Sequence, residues 1–187
     1  MIRAFIAIKI PQDLIQQLVE VQDILKGSGA SVKWVEPENI HLTLKFLGNI
    51  PEAQVTEIVR VMRESTEGVG SFQISISQVG AFPNLRYPRV VWVGVQDIQE
   101  ALQKIQHRLE QGLKALGFEV EEGIFKPHIT LGRVKSQKNR GNLLRAVEPL
   151  VNRELGIAHV RDIHLLRSDL KRTGPEYTVL QTVNLGS

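Results

Sequence analysis

The chain has 187 residues, of which 42% are hydrophobic and 23% charged. That balance belongs to an ordinary globular chain and excludes bulk disorder. It holds no Cys, which rules out disulfide frameworks, thiolate metal centres, iron–sulfur clusters and cysteine nucleophiles. Acid–base chemistry falls to the carboxylates, Lys, the hydroxyls and five histidines: His41, His107, His128, His159 and His164. A net charge of +3 suits an anionic partner but is thin for a dedicated duplex binder.

Residues 2–10 are apolar and β-rich, interrupted by Arg3 and Lys9 and stopped by Pro11. They read as a strand and not as a signal peptide. No apolar run approaches the ~18 residues of a membrane span, so a soluble, cytoplasmic protein with no membrane partner is expected. Leu14, Leu18, Val21 and Leu25 recur at helical spacing and predict a helix over 11–26, closed by Gly27. A strand at about 40–47 stops at Gly48. Pro51 opens a second helix carrying Val55, Ile58, Val59 and Met62. Phe72–Ser77 alternates with period two as a half-buried strand, followed by a turn-rich link at 80–84 and a strong strand at 89–95.

The pattern then begins again. Ile98, Leu102, Ile105 and Leu109 predict a helix, followed by a strand at about 127–134 and a helix around 140–151. Strands at about 157–167 and 176–183 finish the chain. Adding about 87 to the elements of the first half lands on those of the second, and takes His41 to His128. The expectation is an α+β protein, residues 1–187, in one bilobal domain built by internal duplication. Each of two pseudo-symmetric lobes would carry an antiparallel sheet flanked by helices, with a cleft between them.

His41-Leu42-Thr43-Leu44 and His128-Ile129-Thr130-Leu131 are the same tetrapeptide type at equivalent positions. In a strand, residues i and i+2 share a face, so each motif sets a His beside a Thr and sends two aliphatics into the core. Two imidazoles across a groove supply a base for one oxygen and an acid for another near neutral pH. The Thr hydroxyls can bond non-bridging phosphate oxygens or fix the ring tautomers. Catalytic zinc needs about three protein ligands, and neither a His-Glu-x-x-His pattern nor an acidic flank accompanies these motifs. His107 lies off the apolar stripe of its helix and reads as solvated. His159 and His164 lack the Thr partner and read as structural.

With Arg3–Ile8, Trp34–Ile40, Gly80–Pro83, Lys126–Arg133, Leu166–Leu170 and Gly174–Thr178, the two motifs resemble the 2H phosphoesterase superfamily. The likeness reaches its RNA 2′,3′-cyclic phosphodiesterase (2′-5′ RNA ligase) branch along essentially the whole chain. The resemblance implies metal-independent opening of a terminal RNA 2′,3′-cyclic phosphate to a 2′-phosphomonoester, with no cofactor. It makes His41 the proton donor to the departing 3′ oxygen and His128 the proton acceptor from water. Thr43 and Thr130 would hold the non-bridging oxygens, and reversal with a 5′-hydroxyl would give 2′-5′ ligation. RNA ends bearing a cyclic phosphate, tRNA fragments among them, would be the partners of a monomer.

Five residues after each His stand Phe46 and Arg133. The resemblance favours Arg133 as a phosphate contact, and Phe46 could stack on the terminal base. Strict alternation turns both away from the cleft, which makes Phe46 a core residue. Gly132 could admit a bulge that re-aims Arg133. Lys45, Arg86, Arg89 and Lys126 are candidates to guide the RNA backbone or to stand as solvated charges. The rival readings are a 2H phosphodiesterase for a small cyclic phosphate (a cyclic nucleotide or ADP-ribose cyclic phosphate) and a non-catalytic RNA-end binding protein.

Overall fold

Strand β1 (Ile2–Lys9) is buried along almost its whole length, because it lies inside a sheet covered on both faces. The computed structural model describes residues 1–186. After β1 come α1 (Gln12–Lys26), β2 (Val32–Trp34), β3 (His41–Ile50), α2 (Val55–Thr66), β4 (Phe72–Phe82) and β5 (Val90–Gln96). The second half holds α3 (Ala101–Ala115), β6 (His128–Val134), α4 (Arg140–Val147), β7 (Glu154–Val160), β8 (Asp162–Lys171) and β9 (Gly174–Asn184). The fold is α+β.

Neighbouring strands run antiparallel in the order β7-β4-β5-β6-β3-β1-β8-β9, and β2 adds to β6. Strands that match at the repeat offset stand at equivalent distances from the centre: β6 and β3, then β5 and β1, then β4 and β8, with β7 and β9 at the two edges. The sheet thus divides at its central pair into two sets of four strands, β7-β4-β5-β6 and β3-β1-β8-β9, each drawn from both halves of the chain. The helices cross over between halves. The stripe Leu14, Leu18, Val21 and Leu25 of α1 packs toward β7 and α4, whereas α3 lies against α2 and β3. One continuous cluster of buried aliphatic side chains runs through both halves.

The strand expected over 157–167 is two strands broken at Arg161. Their places in the sheet are six strand spacings apart, about 29 Å if the sheet were flat. Two residues of chain reach only about 7 Å. The sheet must therefore curl until its ends approach. The closure is visible where Leu185 N–H donates to the Arg161 carbonyl (2.8 Å) and Ser71 N–H to the Gly186 carbonyl (3.0 Å). That curl makes the hollow in which the site lies.

Other boundaries shift for local reasons. Helix α3 starts at Ala101, so Ile98 stands exposed in the preceding turn instead of opening the apolar stripe. Residues 52–54 form a 3-10 turn before α2. Strand β2, too short to show a period, was not expected; it pairs with Gly132–Val134.

Gly80 pairs across the ladder with Trp92, whose indole lies flat over it. A Cβ at Gly80 would come within 2.4 Å of that ring. Gly80→Ala is expected to cost about 1–3 kcal/mol in denaturant unfolding and to shift the tryptophan emission as the indole is displaced.

Candidate active site

Strands β3 and β6 meet at Leu42 opposite Ile129, both fully buried. Alternation then sends the residues on either side to the other face. Those residues are His41, Thr43, His128 and Thr130, and all four line one cleft of about 700 Å³. Antiparallel pairing sets His41 on the side of Thr130 and Thr43 on the side of His128. The register alone brings the two motifs together.

Each ring is held the same way. His41 Nδ1 lies 2.6 Å from the Asn39 carbonyl, and His128 Nδ1 lies 2.7 Å from the Lys126 carbonyl. A carbonyl only accepts, so Nδ1 of each ring carries the hydrogen and donates it. Nε2 is left as the atom that gains or loses a proton. His41 Nε2 is 2.9 Å from Thr43 Oγ1. Among the described residues His128 Nε2 has no such partner. The carbonyl that holds His41 is itself anchored, because Asn39 Nδ2 donates to the Pro175 carbonyl at 2.8 Å.

The two rings differ in their surroundings. His41 sits against Phe5 at 4.8 Å and Tyr177 at 5.4 Å, while His128 meets the edge of Phe82 at 4.9 Å. Burial lowers the pKa of His41 below its ordinary value, outweighing the opposing effect of the Asn39 carbonyl. Tyr177 is raised by burial, against the opposing charges of Arg133 and Arg3.

Phe46 and Arg133 both reach the cleft, by one shared device. In the pairing of β3 with β1, Leu44 has no partner, and in that of β6 with β5, Leu131 has none. Each is a bulge, which turns two consecutive residues inward and reverses the phase beyond them. Leu44 and Lys45 are therefore both buried, as are Leu131 and Gly132. Phe46 is 59% exposed and lines the cleft, contrary to its reading as core. Its bulge forms without a glycine. Gly132 answers a different need: a Cβ there would come within 2.6 Å of Val32 and 2.8 Å of Trp34, where β2 crosses.

The same bulge removes Lys45 from the candidates for RNA contact. It is 3% exposed, with Nζ 3.0 Å from Glu110 of α3 and 2.7 Å from the Glu119 carbonyl. Lys126 is exposed on the cleft wall, and Arg86 and Arg89 are exposed beyond it. His107 is exposed at the cleft wall, and His159 is exposed with Nε2 3.2 Å from Gln73 Nε2. His164 is buried between Thr182 (3.0 Å) and Asp162 (2.9 Å) as a structural residue. Among the described residues no three His, Asp or Glu cluster as metal ligands would, and no helix is long and apolar enough to cross a membrane. Asn39, Phe5, Phe82, Tyr177 and Arg3 complete the site's surroundings. The motifs gave no signal of their parts in it, since Asn39 acts through its backbone carbonyl and the others through packing or charge from other strands.

The family described as LigT like Phosphoesterase matches residues 8–92 and again residues 93–177. The chain belongs to this family. Its relatives include the RNA 2′,3′-cyclic phosphodiesterase of Methanothermobacter thermautotrophicus, 40% identical over 184 residues and covering 98% of this chain and 99% of the relative. The protein of that name from Aeropyrum pernix is 35% identical, covering 93% and 98%. Among solved structures of the LigT-like fold, a Thermus thermophilus protein superposes with a TM-score of 0.82 at 29% identity, covering 98% of this chain and 97% of that one. Escherichia coli LigT complexed with 3′-AMP has the same fold, with a TM-score of 0.79 at 24% identity and coverage of 100% and 99%.

The lowered pKa of His41 has a consequence for stability. Above its unfolded pKa of about 6.5 the ring is neutral in both states and costs nothing. As pH falls through that value the unfolded chain binds a proton that the folded chain resists, so stability declines until the folded pKa is passed. Imidazole NMR titration of the free protein should place His41 below 6.5. Unfolding in denaturant between pH 7.5 and 5.5 should lose less stability in His41→Asn than in the native chain. Equal slopes would remove His41 from the balance.

Proposed function

We propose that the protein hydrolyses terminal RNA 2′,3′-cyclic phosphates to 2′-phosphomonoesters without a metal ion. The observation that carries this reading is the pair of imidazoles, each with Nδ1 locked on the carbonyl two residues upstream and Nε2 left to exchange protons at one cleft. The names of the relatives support the same substrate class. Water attacks phosphorus and gives its proton to His128 Nε2. The P–O3′ bond breaks, and O3′ takes a proton from His41 Nε2. Thr43, Thr130 and Arg133 bond the non-bridging oxygens as charge gathers on them, and Phe46 stacks on the terminal base. A 5′-hydroxyl in place of water would attack the same phosphorus, displace O3′ in the same way and join the ends through a 2′-5′ linkage. We read the chain as an internal duplication, supported by the matched places of β3 and β6, β1 and β5, and β4 and β8 about the centre of the sheet and by the twofold family match.

The lowered pKa of His41 favours a second reading with the roles exchanged, since a ring that resists protonation suits a base. Under the first reading, the phosphate anion between the rings must raise His41 on binding. A small cyclic phosphate remains the rival substrate, and a binder without turnover the rival class.

The test is turnover of an RNA ending in 2′,3′-cyclic phosphate, in excess EDTA. His41→Ala and His128→Ala should each lower kcat by about 10²–10⁴-fold with circular dichroism unchanged. Retained turnover by either variant would sink two-histidine catalysis. A nucleoside 2′-(4-nitrophenyl phosphate), whose leaving group needs no proton, assigns the roles. Its 3′-hydroxyl attacks phosphorus in the reverse of ring opening, so the residue that protonates O3′ in hydrolysis serves there as base, and the residue that takes water's proton faces the nitrophenolate and becomes dispensable. Rescue of His128→Ala supports the first assignment, and rescue of His41→Ala supports the exchange.

A further inference from the structure

We propose that the cleft continues into a binding tract for single-stranded RNA, running from Arg133 along the end of β6 to a stacking platform at Tyr87. The inference rests on the catalytic reading above for where the RNA terminus sits. It adds that the preferred substrate is a polynucleotide and not a mononucleotide or other small cyclic phosphate.

The first observation is continuity. Arg133 and Lys135 line the cleft. Val90 pairs with Arg133, and Val134 N–H donates to the Arg89 carbonyl at 2.9 Å, so the segment leading into β5 lies directly beside the end of β6. Three residues before Val90 stands Tyr87, in the bent loop between β4 and β5 and at most about 10 Å farther on. That reach leaves room for up to about three stacked nucleotides at ~3.4 Å each.

The second observation is charge. Residues 83–90 and 123–147 contain no Asp or Glu. Among the described residues, Arg86, Arg89, Arg133, Lys135, Lys138 and Arg140 have no ion-pair partner. On the β8–β9 hairpin, which also borders the cleft, Arg167 is paired with Asp169 and Lys171 with Glu176. Against a whole-chain balance of 23 cations to 20 carboxylates, these two segments concentrate the free positive charge beside one end of the cleft. Phosphates are the ligands that such unpaired guanidinium and ammonium groups serve.

The third observation is the aromatic platform. Tyr87 is 50% exposed on the loop between β4 and β5, where no core packing requires an aromatic ring. The Arg140 guanidinium lies 4.6 Å from the ring centroid and that of Arg86 5.6 Å. Its backbone is set by the Asn84 side chain, which accepts from Tyr87 N–H at 2.9 Å. A tyrosine with planar guanidinium groups at its face is a surface on which a base stacks while the arginine N–H groups reach phosphate. Double-stranded RNA would not expose a base face to it.

The experiment compares the native chain with Tyr87→Leu, Tyr87→Phe and the double variant Arg86→Gln/Arg140→Gln. Fluorescence anisotropy measures binding of a 5′-labelled single-stranded RNA hexamer ending in a 2′-phosphate, and kcat/KM is measured on a nucleoside 2′,3′-cyclic phosphate. Tyr87→Leu should weaken hexamer binding about 5- to 100-fold, the loss of one base stack, while Tyr87→Phe retains it. The double variant should lower the slope of log K against log salt by about 1.4, at ~0.7 per phosphate contact. Mononucleotide turnover should stay within twofold in every variant. Unchanged hexamer binding overturns the tract and is the outcome if the patch meets a protein instead. Equal losses on hexamer and mononucleotide also overturn it, as does an equal loss on duplex RNA for Tyr87→Leu. Binding is read without turnover, so a failed catalytic reading and a failed tract give different results.

Discussion

The site depends on a single pairing, that of Leu42 with Ile129 where the two halves of the sheet join. Both side chains are driven inward by burial of apolar surface, and that choice of face fixes the opposite face for the four residues beside them. A slip of one residue would put His41 and Thr43 into the core and Leu42 into the cleft. Such a slip would bury an imidazole and expose an aliphatic side chain, so the hydrophobic effect holds the register that brings the two motifs together. The chemistry needs no separate scaffold: the core that stabilises the fold also aims the rings.

Beyond that pair the halves solve one problem in two ways. Each bulge turns an extra residue inward, and the interior must accept it. In the first half that residue is Lys45, whose charge α3 meets with Glu110, itself bonded by Gln106 at 3.2 Å. An unpaired charge at that depth would cost about 3–5 kcal/mol, so the pair ties α3 and the chain near Glu119 to the floor of the cleft. In the second half it is Gly132, and β2 fills the space with Val32 and Trp34. Gln22 secures that arrangement from α1 by donating to the carbonyls of Val35 (2.8 Å) and Leu131 (2.9 Å). The bulges leave Phe46 and Arg133 at matching places on the cleft wall, one apolar and one cationic.

Much of this was legible in the amino-acid sequence, and the misses share a cause. Two His-x-Thr motifs 87 residues apart announce a shared face because the strand period is two over so short a span. Five residues along, the period no longer holds. Alternation counted through the bulge puts Lys45 beside His41 and sends Phe46 into the core, the reverse of what is found. No residue type marks the bulge in β3, and the glycine in β6 is there for β2. The break at Arg161 is equally silent, since Val160-Arg161-Asp162 continues a plausible alternation with no turn residue. It is imposed by the curl of the sheet, a property of all its strands together. Tyr177 could not be assigned a part from local pattern, because it touches the site from an element distant in sequence, and Asn39 holds His41 through a backbone carbonyl that no residue type marks.

Near symmetry raises a problem for acid–base catalysis that asymmetric packing resolves. Two equivalent imidazoles with equivalent surroundings would titrate together, and the state with one ring protonated and the other neutral would have no preferred direction. Here Phe5 and Tyr177 pack against His41, while Phe82 packs against His128. Burial lowers the pKa of His41, an effect that the matched Nδ1 contacts do not supply. The aromatic side chains against it therefore do more than fill space: by limiting the water that reaches the ring, they make His41 resist a proton before any phosphate arrives. An anion bound beside that ring would act against this, favouring its charged form. In the proposed two-histidine reaction, the direction of proton flow would be set by the packing around His41 together with the charge of the ligand, and not by the motif that the two halves share.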